Sequence, residues 1–461
     1  MQSDNLARRT FLRSVAAGAA SSALAQTSKA RPNIIYIHSH DTGRYLQPYG
    51  HAVPAPNIQK LADGGVLFRQ AFNAAPTCSP SRASLLTGQC PHSNGMLGLA
   101  HRGFFLTDHK RHIAHTLRAA GYYSELIGLQ HIARDPAIIG YDKVQVIRGN
   151  HVEQVAPAAA AFLKNAPKQP FFIDVGFQET HRKFRKPGPR EDPRCCLPPA
   201  PLPDTPETRY DIASFKATAR ALDEGVGVVL DALESGGLAA NTLVISTTDH
   251  GIAFPDMKCN LFDHGMGVSL IMRGPNGFSG GKVCDAMVSH IDIFPTICDL
   301  LDIERPSWLQ GKSMMPLIRG SAQEINDEIF AEVNYHAAYE PKRAVRTKRW
   351  KYIRHYDGRK HPNLPNCDDG PSKSLWVKNG WRDRAVDSEQ LYDLMFDPNE
   401  IHNCATDPAN AEVAAEMRGR LERWMKATED PLLKGPVKAP KGATANDPDG
   451  TSPHEQAKLV G

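Results

Sequence analysis

Four short stretches of the chain gather side chains able to do chemistry: His38-Ser39-His40-Asp41, Glu179-Thr180-His181, Asp249-His250-Gly251, and the run Thr77-Cys78-Ser79-Pro80-Ser81-Arg82-Ala83-Ser84-Leu85-Leu86-Thr87-Gly88. The first three come soon after apolar runs, Ile34–Ile37, Phe171–Val175 and Thr242–Ser246. An apolar run of that length that gives way to histidine and carboxylate side chains reads as a buried strand whose C-terminal end delivers ligands. In the fourth stretch Cys78 enters a Pro-containing turn ahead of a helical segment. That place suits either a reactive thiol or a buried structural one.

The elements between these stretches must bring the strand ends together. Asp108 as N-cap, Ile113 and Leu117 on one face and Gly121 as the stop define a helix before a strand at Tyr122–Ile127, and a longer helical pattern runs from about Tyr210 to Leu233. Strand–helix alternation with functional groups at strand C-termini predicts an α/β fold, a large mixed, mostly parallel sheet flanked by helices, over residues 31–335. Beyond Arg319-Gly320 the pattern changes. Ala344–Tyr356 reads as a turn-linked pair of exposed strands and Ala411–Lys426 as an amphipathic helix, which predicts a smaller antiparallel domain over 336–435. The tail 436–461, rich in Pro, Gly, Lys and Asp, is expected to be disordered.

Composition narrows the class of partner. The chain has 461 residues, 41% hydrophobic and 23% charged, which excludes wholesale disorder and a polytopic membrane protein. A net charge of +4 is too small and dispersed to argue for nucleic acid or a membrane surface. Residues 1–25 carry Arg8-Arg9-Thr10-Phe11-Leu12, an apolar small-residue run and Ala23-Leu24-Ala25, and so resemble a bacterial twin-arginine export signal. That implies a periplasmic or secreted protein, and the run is shorter than the about 20 residues a membrane span needs. Nine cysteines make an odd count with no zinc-like C-x-x-C pair; some of them are expected to pair in an oxidising compartment. His109, His112 and His115 recur every third residue with no acidic partner nearby, and are expected on a solvated helix face.

The segment Cys78-Ser79-Pro80-Ser81-Arg82 with Ala83-Ser84-Leu85-Leu86-Thr87-Gly88 resembles the signature of type I, formylglycine-dependent sulfatases of the alkaline phosphatase superfamily. The resemblance covers most of the chain and is greatest to the heparan N-sulfatases (sulfamidases). Asn94-Gly95-Met96, Pro170-Phe171-Phe172 with Thr180-His181-Arg182, Gly251-Ile252-Ala253-Phe254-Pro255 and Leu391-Tyr392-Asp393 carry it. It implies an alkaline-phosphatase-like sheet with a small C-terminal antiparallel domain. It also implies a hydrolase of a sulfate ester or sulfamate on a small molecule or glycan, with N-sulfoglucosamine of heparan-type glycans among the candidates.

By that resemblance a formylglycine-generating enzyme converts Cys78 to formylglycine, whose hydrate attacks sulfur. Arg82 steadies the hydrate, His131 matches the histidine of a Gly-Lys-x-His motif, His181 stands near the leaving group and Lys258 binds sulfate. One divalent metal, Ca2+ in most of the family, is held at the positions of His40, Asp41, Asp249 and His250 together with residue 78. Two departures stand out. His40 replaces an aspartate; Ca2+ takes about six to eight oxygens whereas imidazole suits Mn2+ or Zn2+, so those ions enter as alternatives, and His40 either ligates or hydrogen-bonds beside the metal. Leu129 occupies the place of the motif's lysine. The same scaffold also admits a phosphonate monoester or phosphodiester hydrolase, which shares Asp249-His250, and a sulfated-glycan binding protein whose catalysis has decayed. The basic run Arg182–Lys186 reads either as a grip for a polyanionic glycan or as a solvated loop.

Overall fold

The run around Ile34–Ile37 forms β1 (Asn33–Ser39), buried along its whole length. Ile34 and Tyr36 pack into the core on one side of the sheet, Ile35 and Ile37 into the core on the other, which is why the strand is apolar at every position rather than at alternate ones. The computed structural model describes residues 31–461, which form one compact unit; the export signal expected at 1–25 lies outside them.

Seven more strands complete the main sheet: β2 (Val66–Phe72), β3 (Tyr123–Gly128), β4 (Lys143–Gln145), β5 (Phe171–Gly176), β6 (Thr242–Thr248), β7 (Leu270–Arg273) and β8 (Lys282–Ser289). Their order is β4-β3-β5-β1-β6-β7-β2-β8, and only β7 runs antiparallel to its neighbours. This is the large, mixed, mostly parallel sheet read from the sequence. Helices Cys78–Thr87, Ile113–Ala119 and Ile293–Leu301 supply the core on one side, and Pro56–Gly64, Val152–Lys164 and Pro206–Ser235 on the other. The long helix Pro206–Ser235 starts at a capping box in which Thr205 and Thr208 satisfy each other's backbone N–H groups.

A second, antiparallel sheet follows: β9 (Ile329–Tyr335), β10 (Tyr339–Arg346), β11 (Trp350–His355) and β12 (Glu389–Asp393), in the order β12-β11-β10-β9. It begins ahead of the boundary expected at 336. The turn-linked pair β10–β11 is present, but its strands are covered rather than exposed. Ala344 and Ile353 pack with Phe72, Leu261 and Met266 of the main body, while Val345 and Tyr352 pack under Ala414, Met417, Leu421 and Met425 of the helix Ala411–Ala427.

The tail 436–461 corrects the expectation of disorder. Val437, Ala443 and Ala445 are buried, and β13 (Thr444–Ala445) pairs with β14 (Lys458–Leu459). Asn446 donates its backbone N–H to Ala337 O at 2.7 Å, and Tyr335 Oη donates to Val437 O at 2.9 Å. Small side chains fit under an existing surface without the bulky apolar content that composition is read for. All nine cysteines are free thiols, so none of the expected pairing forms. His112 is buried and its Nδ1 accepts the N–H of Ala114, which makes it a helix cap and not part of a solvated face. Among the described residues no helix is long and apolar enough to cross a membrane.

Candidate functional site

The register of the central strands fixes the site. Ser39 of β1 lies opposite Thr248 of β6, so His40-Asp41 and Asp249-His250 leave the sheet side by side at its C-terminal edge. Asp41 N donates to Asp249 Oδ1 at 2.8 Å and ties the two loops together. On the other flank of β1 the loop after β5 is joined to the first: His40 N donates to Glu179 O at 2.8 Å and Thr180 N to His40 O at 2.6 Å. That junction sets the His181 ring 4.4 Å from the His40 ring, centre to centre. The loop after β3 adds His131, whose ring is 5.8 Å from that of His40. Asp41 and His131 both have positive φ, 57° and 56°, a conformation that Asp and His adopt more readily than most residues. Gly251 must be glycine because a Cβ there would lie 1.9 Å from His264 O.

Cys78 is the first residue of the helix Cys78–Thr87, whose ten residues are all buried. The N-terminal end of a helix presents unpaired N–H groups and favours negative charge, so an anion at residue 78 meets a favourable backbone. Cys78 Sγ is 3.3 Å from His250 Nε2 and 3.9 Å from His336 Nε2. One turn along, Arg82 donates through Nη2 to Asp249 Oδ2 at 2.9 Å and to Ser39 O at 3.0 Å, and through Nη1 to His38 Nδ1. His38 Nε2 in turn donates to Asp174 Oδ1 at 2.8 Å, so a chain of polar contacts anchors the arginine to the core of the sheet. His38 holds Arg82 in place and stays out of the site itself.

The charges of the cluster follow from its surroundings. Burial pushes His40 down to about 4, so its imidazole is neutral and has a lone pair to offer. Burial alone would raise the Asp41 carboxyl, but Lys258, His40, His181 and His250 together hold it well below the usual range. Asp249 is likewise held low, against burial, chiefly by Arg82. Burial works against the Lys258 ammonium, but Asp368 and Asp41, each 2.8 Å from Nζ, raise it well above its ordinary value. The Cys78 thiol is pushed up by burial, which leaves it protonated.

Ligand atoms of His40, Asp41, Cys78 and Asp249 all lie within 4.8 Å of one another. His40 Nδ1 and Asp41 Oδ1 are 2.8 Å apart, yet neither atom makes a hydrogen bond. Buried polar atoms left so cost about 1–3 kcal/mol unless something else meets them, and a cation among these donors would do so. His250 fits the same set. Its Nδ1 is 3.0 Å from Gly251 O, which can only accept, so the proton sits on Nδ1 and the Nε2 lone pair faces Asp41 Oδ1 at 3.3 Å and Asp249 Oδ2 at 3.6 Å.

Every residue singled out from the sequence for the site therefore converges here: His40, Asp41, Cys78, Arg82, His131, His181, Asp249, His250 and Lys258. Three more were missed. His101 Nδ1 lies 3.0 Å from His131 Nε2, Asp368 pairs with Lys258, and His336 reaches Cys78 from the turn between β9 and β10. None stands in a motif, and Asp368 and His336 come from the C-terminal part of the chain. Leu129 lines a cavity of about 380 Å3 with His101, His131 and Arg134. In the basic run, Arg182 is held by Asp211 through two bonds of 2.8 Å and Arg185 pairs with Glu153 and Glu179, so these two arginines serve the loop's own structure.

The sulfatase family model matches residues 32–303, and the chain belongs to that family. A model described as the C-terminal part of N-sulphoglucosamine sulphohydrolase matches residues 252–379. The chain is 30% identical over 470 residues to human N-sulphoglucosamine sulphohydrolase, covering 88% of this chain and 93% of the human one. It is 28% identical over 431 residues to an ulvan-active sulfatase of Formosa agariphila, covering 89% and 84%. Among solved structures, a putative sulfatase of Bacteroides fragilis superposes with a TM-score of 0.72 at 20% identity, over 90% of this chain and 99% of that one.

Proposed function

We propose that this sulfatase hydrolyses a sulfate ester or sulfamate on a glycan, through a formylglycine made from Cys78 and with a bound divalent metal. The convergence of ligand atoms from His40, Asp41, Cys78 and Asp249 within 4.8 Å carries the reading. A buried, protonated thiol is a poor nucleophile at neutral pH, which supports its conversion to the aldehyde. As a hydrate, residue 78 offers two hydroxyls. One attacks sulfur while the bond from sulfur to the leaving oxygen or nitrogen breaks; the other then loses its proton as sulfate departs and the aldehyde returns.

Arg82, fixed by Asp249 and His38, orients residue 78, and His131 lies beside it to accept a proton. On the leaving-group side, His181 Nδ1 is 2.6 Å from Arg182 O, so it donates there and its Nε2 faces Lys258 Nζ at 3.4 Å. This arrangement supports Lys258 as the cation that holds sulfate, with His181 beside it on the side of the departing atom. The metal would be held by His40, Asp41, Asp249, His250 and residue 78, and would supply positive charge to the sulfuryl oxygens. Two imidazoles with two carboxylates suit Mn2+ or Zn2+ better than the all-oxygen set that suits Ca2+.

N-sulfoglucosamine is the first substrate to test, given the human relative named above. Residues 1–25 support export to the periplasm or beyond by a route that moves folded protein, so formylglycine installed in the cytoplasm by its generating enzyme travels with the chain. Mass spectrometry of the tryptic peptide spanning residue 78, from natively expressed protein, should show a loss of about 18 Da relative to the thiol. A panel of N- and O-sulfated sugars then reads the activity. An unmodified thiol in every preparation together with no sulfate release would overturn the reading.

A further inference from the structure

His336 enters the site from a different sheet than every residue discussed above except Asp368. It stands in the turn between β9 and β10, held by its backbone N–H bonding to Ala338 O at 3.2 Å. Its ring is buried, its Nε2 lies 3.9 Å from Cys78 Sγ, and its Nδ1 has no hydrogen-bond partner. Sγ occupies the position that one hydroxyl oxygen of a formylglycine hydrate would take, with any attached sulfuryl group just beyond it. An imidazole with one nitrogen aimed at that point and the other left unbonded is fixed by no protein partner, so it is free to carry its proton on Nε2 and donate it there. A purely structural buried histidine is instead expected to have both nitrogens met.

The surroundings show what such a donor would add. Arg82 and Lys258 are each already engaged by carboxylates. Donors aimed at oxygens that gain negative charge are worth about 100- to 1,000-fold in rate in a buried site. The turn that carries His336 is itself braced, since Arg102 Nη1 donates to Ala337 O at 3.3 Å and Asn446 N donates to the same oxygen at 2.7 Å.

We propose that His336 is a catalytic residue that donates a hydrogen bond from Nε2 to the oxygens carried by residue 78 and the sulfuryl group. The proposal rests on the sulfatase reading above, and its test separates the two. In the full-length protein, His336→Ala should lower kcat about 100-fold or more with KM changed less than threefold, and His336→Gln, which keeps an N–H donor, should recover at least a tenth of the wild-type kcat. Formylglycine content and thermal midpoint should match the wild type in both variants. Calorimetric titration with inorganic sulfate, read without turnover, should show binding at least tenfold weaker in His336→Ala.

If the alanine variant keeps its kcat within twofold and binds sulfate as tightly as the wild type, His336 is not such a donor. If the loss of activity follows a loss of formylglycine or of folding, the histidine is structural and the proposal also fails. A wild-type protein that carries formylglycine and binds sulfate yet hydrolyses no sulfated sugar overturns the sulfatase reading; the sulfate titration still decides the place of His336.

Discussion

Lys258 Nζ lies 2.8 Å from Asp41 Oδ2, and the same ammonium is 2.8 Å from Asp368 Oδ2. All three side chains are buried or nearly so, which makes Lys258 the link between the first strand's loop, the loop after β6 and the C-terminal part of the chain. This buried cation is thus held from both parts of the molecule. Replacing it by alanine takes the partner from two carboxylates and, on the proposed function, removes a sulfate ligand.

For Lys258→Ala we expect kcat/KM to fall by about 100- to 1,000-fold. Leaving buried carboxylates uncompensated should also cost about 3–5 kcal/mol of stability, read as a lower urea midpoint. An unchanged midpoint would show that the pair is solvated rather than buried.

On the proposed function, the metal preference follows from one side chain. Replacing His40 with Asp exchanges an imidazole for a hard oxygen ligand, so elemental analysis of purified protein should show bound metal moving from Mn2+ or Zn2+ toward Ca2+. Stripping the metal with a chelator should lower the thermal midpoint of the wild type, because the ion binds only the folded site. The same metal in both proteins would remove His40 from the ligand set.

A second buried charge cluster makes stability depend on pH. His92 bonds Glu332 through its backbone N at 2.7 Å and through its ring, and Arg343 joins the same group through Asp430 at 2.6 Å. Burial lowers the His92 imidazole, but Glu332 and Cys90 outweigh it and raise it well above its ordinary value of 6.5. The folded state therefore holds this proton more tightly than the unfolded chain. Its stabilising effect is full below pH of about 6.5 and is lost as pH rises through the raised value. In urea titrations at several pH values, His92→Gln should be less stable than the wild type at low pH and converge on it in alkali.

The ordered tail gives a test of its own. Truncation after Gly435 uncovers the surface beneath Val437, Ala443 and Ala445 and removes three hydrogen bonds to the β9–β10 hairpin. A single buried valine alone is worth about 1.5–3 kcal/mol, so the shortened protein should unfold several degrees lower in a thermal scan. No change would mean that the tail packs without contributing.

Much of this was legible in the chain as written. The three apolar runs at Ile34, Phe171 and Thr242 declared strands because each is long enough to be buried on both faces, and the polar residues that end them declared the edge where a site forms. The amphipathic helix read at Ala411–Lys426 followed from spacing. Local pattern depends on covalent neighbours, and those signals survive without a structure.

Contacts between distant segments leave no such pattern. Cys78 and His336 are 258 residues apart and share no period or motif; only the packing of the small sheet against Phe72 and Met266 brings the β9–β10 turn to the start of the helix Cys78–Thr87. The pairing of Lys258 with Asp368, the cap role of His112 and the seating of the tail are of the same kind. By itself the sequence determined the central strands and the chemistry available at each strand end. The tertiary structure decided which charges meet, because buried charges and polar groups are stable only where a partner lies within a few ångströms, and that depends on how the two sheets pack.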